Sequence, residues 1–118
     1  MKFGYYANVK ESKPPVAGAQ ATIRWLITEK DGAKNFAMRV IEIKQKGEKI
    51  PLHGHDYEHE VFIISGMGRA FTPEVSVDLK PGDFAFIRPN EEHGFENLGE
   101  EPFRFICVIP IQPDKGQK

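Results

Sequence analysis

The chain has 118 residues, with 16 Lys and Arg against 17 Asp and Glu, for a formal net charge of −1. That length supports one domain around one core, and the balanced charge supplies neither a basic stripe for nucleic acid nor an acidic tail. Its apolar runs, such as Val61 to Ile64, are far too short to span a bilayer, and Met1-Lys2-Phe3-Gly4-Tyr5-Tyr6 does not lead into the apolar core of a secretory signal.

In chain order, the first twenty residues carry Pro14-Pro15 and Gly18 and read as an arm, residues 1–20, ahead of a barrel spanning 21–112. Short β-branched and aromatic segments follow at Thr22–Thr28, Phe36–Ile43, Val61–Ser65, Val75–Leu79, Phe84–Ile87 and Phe103–Ile109. Asp31-Gly32, Lys46-Gly47, Gly66-Met67-Gly68, Pro81-Gly82-Asp83, Pro89-Asn90 and Leu98-Gly99 punctuate them as turns. Residues 113–118 read as a tail. Helical periodicity never runs for twelve residues without a Gly or Pro breaking it. Many short strands at this spacing predict an all-β antiparallel sandwich or barrel.

The chemistry concentrates in the 4 histidines. His53, His55 and His59 fall within seven residues, and His93 follows further on. Imidazole is the commonest side-chain ligand of transition metals. On an extended chain, residues i and i+2 share a face, so His53 and His55 aim together and His59 has the same parity. Lone histidines are usually ordinary surface or core residues, whereas a set with this spacing points to a metal. A serine nucleophile is disfavoured because no Gly-x-Ser-x-Gly elbow is present. The lone Cys107 cannot close an intrachain disulfide, which suits a reducing compartment. A cytoplasmic protein is therefore expected.

The same residues resemble the two motifs of the cupins. Gly47, His53, His55, His59 and Gly66 follow the first pattern, G-x5-H-x-H-x3-4-E-x6-G, and Gly82, Pro89, His93 and Asn97 follow the second. Two departures stand out. Pro89 is one place late, and the second motif's inner glycine is missing from Pro89-Asn90-Glu91-Glu92-His93. Counting back from Gly66 puts His59, and not Glu60, in the place of the usual acidic ligand. Within the family, His-Gly-His-Asp-Tyr-Glu-His-Glu-Val-Phe, Asn35-Phe36-Ala37-Met38-Arg39 and Phe105-Ile106-Cys107-Val108-Ile109-Pro110 resemble the small tetrahistidine members, some of which hold manganese.

That resemblance implies a single-domain cupin, a double-stranded β-helix or jelly-roll barrel, with His53, His55, His59 and His93 holding one divalent transition metal. Manganese is favoured by the resemblance, while imidazole suits iron, nickel, copper and zinc as well. Four neutral donors leave the ion its full charge, which attracts anionic or enolisable ligands. Alternation places Phe105, Cys107 and Ile109 inside, opposite Arg104, and gives Phe95 the face of His93. Arg39 and Ile41 share a face whose direction alternation leaves open; in the relatives the matching arginine lines the cavity, and that resemblance makes Arg39 a candidate anion anchor, against an outward, solvated arginine. Cys107 is read first as a small buried hydrophobe. Trp25 reads as core or as a dimer face. The functional expectation is a metal-dependent oxidoreductase, dioxygenase-like, acting on a small organic substrate. Isomerase or lyase chemistry, and a small-molecule binding or sensing role without turnover, are the alternatives. A homodimer without nucleic-acid or membrane partners is expected.

Overall fold

The computed structural model describes residues 1–112, so the expected 113–118 tail lies outside the described residues. Ten strands follow one another: β1 (Glu11–Ser12), β2 (Thr22–Ile27), β3 (Phe36–Ile43), β4 (Lys49–His53), β5 (His59–Ser65), β6 (Gly68–Phe71), β7 (Ser76–Leu79), β8 (Phe84–Ile87), β9 (His93–Asn97) and β10 (Phe103–Pro110). They form two antiparallel sheets, a larger one in the order β1-β2-β3-β10-β5-β8 and a smaller one in the order β4-β9-β6-β7. Two short 3-10 turns, Tyr6–Asn8 and Glu29–Asp31, complete the described regular structure. This is the all-β jelly-roll architecture expected from the sequence.

The six segments read as strands from their β-branched and aromatic content are all strands, and five of them build the larger sheet. Strand β10 shows why. It pairs with β3 on one side and β5 on the other, so every second residue must point into the core. Phe103, Phe105, Cys107 and Ile109 do so, all nearly inaccessible, while Arg104 lies on the outer face and binds Glu42 through Nε at 2.6 Å. Opposite them, the smaller sheet contributes Ile50, Leu79 and Phe95 to the same core.

The opening stretch lies along the barrel. Glu11 and Ser12 pair with Arg24 and Ile23, and the Arg24 guanidinium donates to the carbonyls of Ala7 and Val9. This covers part of the larger sheet's outer face. Further along that face Phe62, Phe84 and Phe86 remain exposed.

Two close approaches lock the sheets together. Gly66 has φ +80, and a Cβ there would sit 2.2 Å from the Pro102 carbonyl oxygen, so only glycine fits this turn. Asn97 is fully buried; its amide donates to the carbonyls of Ile43 and Glu101 while its oxygen accepts from the Gly99 N–H. Asn97→Ala removes all three bonds and strands two carbonyls, which should cost roughly 2–4 kcal/mol. Denaturant titration of the variant should show that loss, with a melting point lower by on the order of 10 °C. A loss under about 1 kcal/mol would show that water replaces the amide without penalty.

Candidate metal centre

The two strands that carry His53 and His93 are among the least strand-like in sequence. β4 reads Lys-Ile-Pro-Leu-His and β9 reads His-Gly-Phe-Glu-Asn. They pair with Ile50 opposite Phe95 and His53 opposite His93, so that Pro51 and Leu52 together face Gly94. This is a β-bulge. Without it, Leu52 would stand opposite His93 and His53 would fall on the outer face. Gly94 allows the close approach, since a Cβ there would lie 2.5 Å from the Phe71 ring and 2.6 Å from the Ile50 carbonyl. The inserted residue thus turns His53 inward. Pro51, which has no N–H to lose, is well suited to the irregular position.

β4 ends at His53, so His55 reaches the site from the following loop and not by strand alternation. His59 opens β5 in the other sheet. The face-sharing expected for an extended 53–59 segment is therefore replaced by a chain reversal that brings the rings together from three directions. Ring centroids lie 4.8 Å apart for His53 and His55, and 4.4 Å for His53 and His93. His59 lies 4.9 Å from His55 and 5.1 Å from His93.

Among the described residues, His53, His55 and His93 each offer a nitrogen, and these nitrogens all lie within 4.8 Å of one another. No carboxylate joins them. Glu60 is exposed on the outer face, beside Phe86 and Val108, as its parity requires.

Hydrogen bonds select the tautomers. Nδ1 of His53 lies 2.8 Å from the Pro51 carbonyl, and Nδ1 of His93 lies 2.8 Å from the Glu91 carbonyl. A carbonyl only accepts, so each Nδ1 carries the proton and each Nε2 keeps its lone pair for a metal. The same i to i−2 contact is made on both strands. His59 is held differently. Its Nδ1 lies 3.1 Å from Cys107 Sγ and 3.3 Å from Nη2 of Arg39, and its buried Nε2 has no hydrogen-bond partner among the described residues.

Electrostatics favours the neutral form of these rings. Burial, helped by the neighbouring His53 and His93, lowers His55 to about 4; burial and the Arg39 charge lower His59 to about 2. Burial also lowers His93, against the opposing hydrogen bond to Glu91. At neutral pH these three imidazoles are therefore uncharged, as metal ligation requires. The donor set fits a divalent transition ion.

Around the histidines lies a small cavity. Arg39, Ile41, Phe95, Phe105 and Cys107 line it, with Arg39 facing inward. Ile109 is buried in the core and is not part of the cavity wall. Tyr57 stacks on His55 at 4.9 Å and lines the cavity. Ile23 and Ile50 complete the wall, together with Pro14, Pro15 and Val16 of the arm. These last three carried no sequence signal beyond a Pro-Pro step before an apolar residue. The cavity measures about 40 Å³, room for a few waters at roughly 10–15 Å³ each.

The Cupin domain family matches residues 40–109. The polyketide cyclase RemF of Streptomyces resistomycificus superposes with a TM-score of 0.87 at 30% identity, covering 95% of this chain and 80% of that one. A predicted oxalate decarboxylase of Thermotoga maritima superposes at TM-score 0.78 and 20% identity, covering 94% of this chain and 100% of that one, a likeness of fold. The glucose-6-phosphate isomerase of Thermococcus onnurineus is 32% identical over 70% of this chain and 49% of its own length. This chain spans about half the length of the curated relatives it matches.

The low imidazole values make acid stability a direct check. A histidine whose folded pKa is depressed disfavours the protonated form in the native state. Its contribution is fully present above about pH 6.5 and is lost as pH falls towards the folded value. In metal-free protein, the melting temperature should hold steady above pH 7 and fall steadily from pH 6.5 to 5, above the carboxylate range. A flat profile through that window would show that the rings titrate alike in the folded and unfolded chain, with no depression on folding.

Proposed function

The chain belongs to the cupin family, and from that premise we propose that it is a metal-dependent enzyme performing redox-neutral chemistry at a carbonyl group of a small organic substrate. The observation that carries the proposal is the convergence of His53, His55 and His93 with no carboxylate among them. His59 joins them as the fourth ligand through Nε2, with its Nδ1 proton directed at Cys107 Sγ. Manganese is the first metal to try, with iron, nickel, copper and zinc after it.

A divalent ion held there would supply Lewis-acid polarisation of a carbonyl oxygen, undiminished by any anionic ligand. The chain's own residues supply the rest. Pro51 and Glu91 carbonyls fix the orientations of His53 and His93. Burial raises the Tyr57 phenol, which therefore stays protonated and can donate a hydrogen bond to a developing oxyanion. Phe95, Phe105 and Ile41 exclude water from the reacting carbon. Cyclase and isomerase among the named relatives support this class of reaction over the oxygen-dependent one. The small cavity favours a second reading, a dioxygenase-like oxidoreductase whose co-substrate is as small as dioxygen.

Elemental analysis of purified protein should find close to one transition metal per chain, falling to a small fraction in His53→Ala and His93→Ala. His59→Ala should lower metal retention, and Glu60→Ala should leave it unchanged; the reverse order would transfer the fourth position to Glu60. With metal bound, proton exchange at the α-carbon of a simple 1,3-dicarbonyl in deuterated water, followed by NMR, should exceed that of the metal-stripped protein. Exchange no faster than with the free ion, together with substrate-dependent oxygen consumption, would favour the second reading.

The homodimer belongs to this proposal, through a face other than that of Trp25, which packs against the core. Phe84 and Phe86 are 80% and 55% exposed on β8, the edge of the larger sheet, beside Phe62 on β5. An apolar edge strand left open invites pairing with its twin. Light scattering should give twice the chain mass, and Phe84→Glu with Phe86→Glu should return the protein to a monomer; a monomeric wild type would remove the dimer.

A further inference from the structure

Arg39 occupies an unusual place. On the inner face of the larger sheet it stands in register between Trp25 on β2 and Cys107 on β10. Its side chain is 6% exposed and lines the cavity beside His59. The guanidinium lies 5.3 Å from the centre of the Trp25 ring, and Nη2 donates to Cys107 Sγ at 2.8 Å. Its Nε has no hydrogen-bond partner, and among the described residues no carboxylate pairs with it.

Arginine cannot shed its charge as a buried lysine can. A buried guanidinium without an anion costs several kcal/mol by the usual magnitude for uncompensated ions. The fold contains ordinary alternatives: Arg104, on the neighbouring strand, has Glu42. Every cation in the described ion pairs lies on or near the surface, and the one buried at the cavity is left without an acid. An aromatic face and a sulfur hold the guanidinium in place without neutralising it.

We propose that Arg39 is an anion-binding residue that receives a carboxylate or enolate group of the substrate inside the cavity. This rests on the reading of the cavity as a substrate site and narrows it to anionic organic molecules small enough for that space. Within it, the guanidinium offers charge-assisted hydrogen bonds to one end of the molecule. A carbonyl elsewhere in the same molecule is left free to face the histidines. Neutral sugars and hydrocarbons would leave the guanidinium unpaired and are selected against.

The protein has 1 tryptophan, and it is the one that carries Arg39, so Trp25 emission reports directly on the site. The full chain, stripped of metal with phenanthroline and dialysed, would be titrated with oxalate and, separately, with its neutral isostere oxamide. Oxalate should produce a saturable change in Trp25 emission and a matching calorimetric isotherm, and oxamide should produce neither. Arg39→Gln should weaken oxalate roughly tenfold or more; should that variant fail to fold by circular dichroism, Arg39→Lys, which keeps the charge and loses the fork, should weaken it measurably. Absence of saturation by oxalate in the wild type, equal binding of oxamide, or unchanged oxalate affinity in a folded Arg39 variant would each overturn the proposal. Metal content measured before stripping separates the two readings. Bound metal without oxalate binding sinks the anion site alone, and oxalate binding in a chain that never holds metal sinks the metal reading alone.

Discussion

One cross-strand pair governs the arrangement of this site. His53 and His93 face each other across the β4–β9 ladder, with ring centroids 4.4 Å apart, and they do so because β4 carries an extra residue. In a regular ladder the side chains alternate strictly, and Leu52 would hold the inward place. The bulge at Pro51 and Leu52 shifts that alternation by one and leaves Leu52 exposed. The Pro51 carbonyl then accepts the His53 Nδ1 proton, as the Glu91 carbonyl accepts that of His93. Local backbone irregularity, register and tautomer are therefore one constraint seen at three scales.

Most of the larger sheet could be read from sequence, and of the smaller one only β7 could, for a physical reason. Strands such as β3 and β10 are packed on at least one face along their whole length, so their residues are β-branched or aromatic and alternate clearly. β4, β6 and β9 are shorter and carry proline, glycine and histidine where packing alone would want valine or isoleucine. Their residues serve close approach and ligation. The histidine spacing and the match to two family motifs singled out the four rings that the fold brings together, because those depend on identity and not on propensity. Strand parity gave the right neighbours by the wrong route. It assumed an extended chain from His53 to His59, whereas the chain leaves one sheet after His53 and enters the other at His59. Parity also left Arg39 undecided, since β3 is buried on both faces from Arg39 to Ile43. Only the packing of Trp25 and Cys107 around it fixes its direction.

The electrostatics of the cavity follows from the same residues. Neutral imidazoles, a phenol held in its protonated form and an unpaired guanidinium leave the interior with positive charge and no negative charge to balance it. A divalent ion would add to that imbalance. Such a cavity favours molecules that bring their own negative charge or develop it on reaction, as an enolate does. The arm residues Pro14, Pro15 and Val16 close one side of it, so a large substrate would enter only with movement of that segment, while a small one need not disturb it.

The measurement that bears most directly on this account is anomalous diffraction from crystals of the metal-loaded protein, collected on both sides of the metal's absorption edge. One strong peak is expected, bounded by the Nε2 atoms of His53, His55 and His93, with His59 Nε2 turned towards it. A peak coordinated by Glu60 or by surface carboxylates, or none at the histidines in protein that analyses as fully loaded, would contradict it.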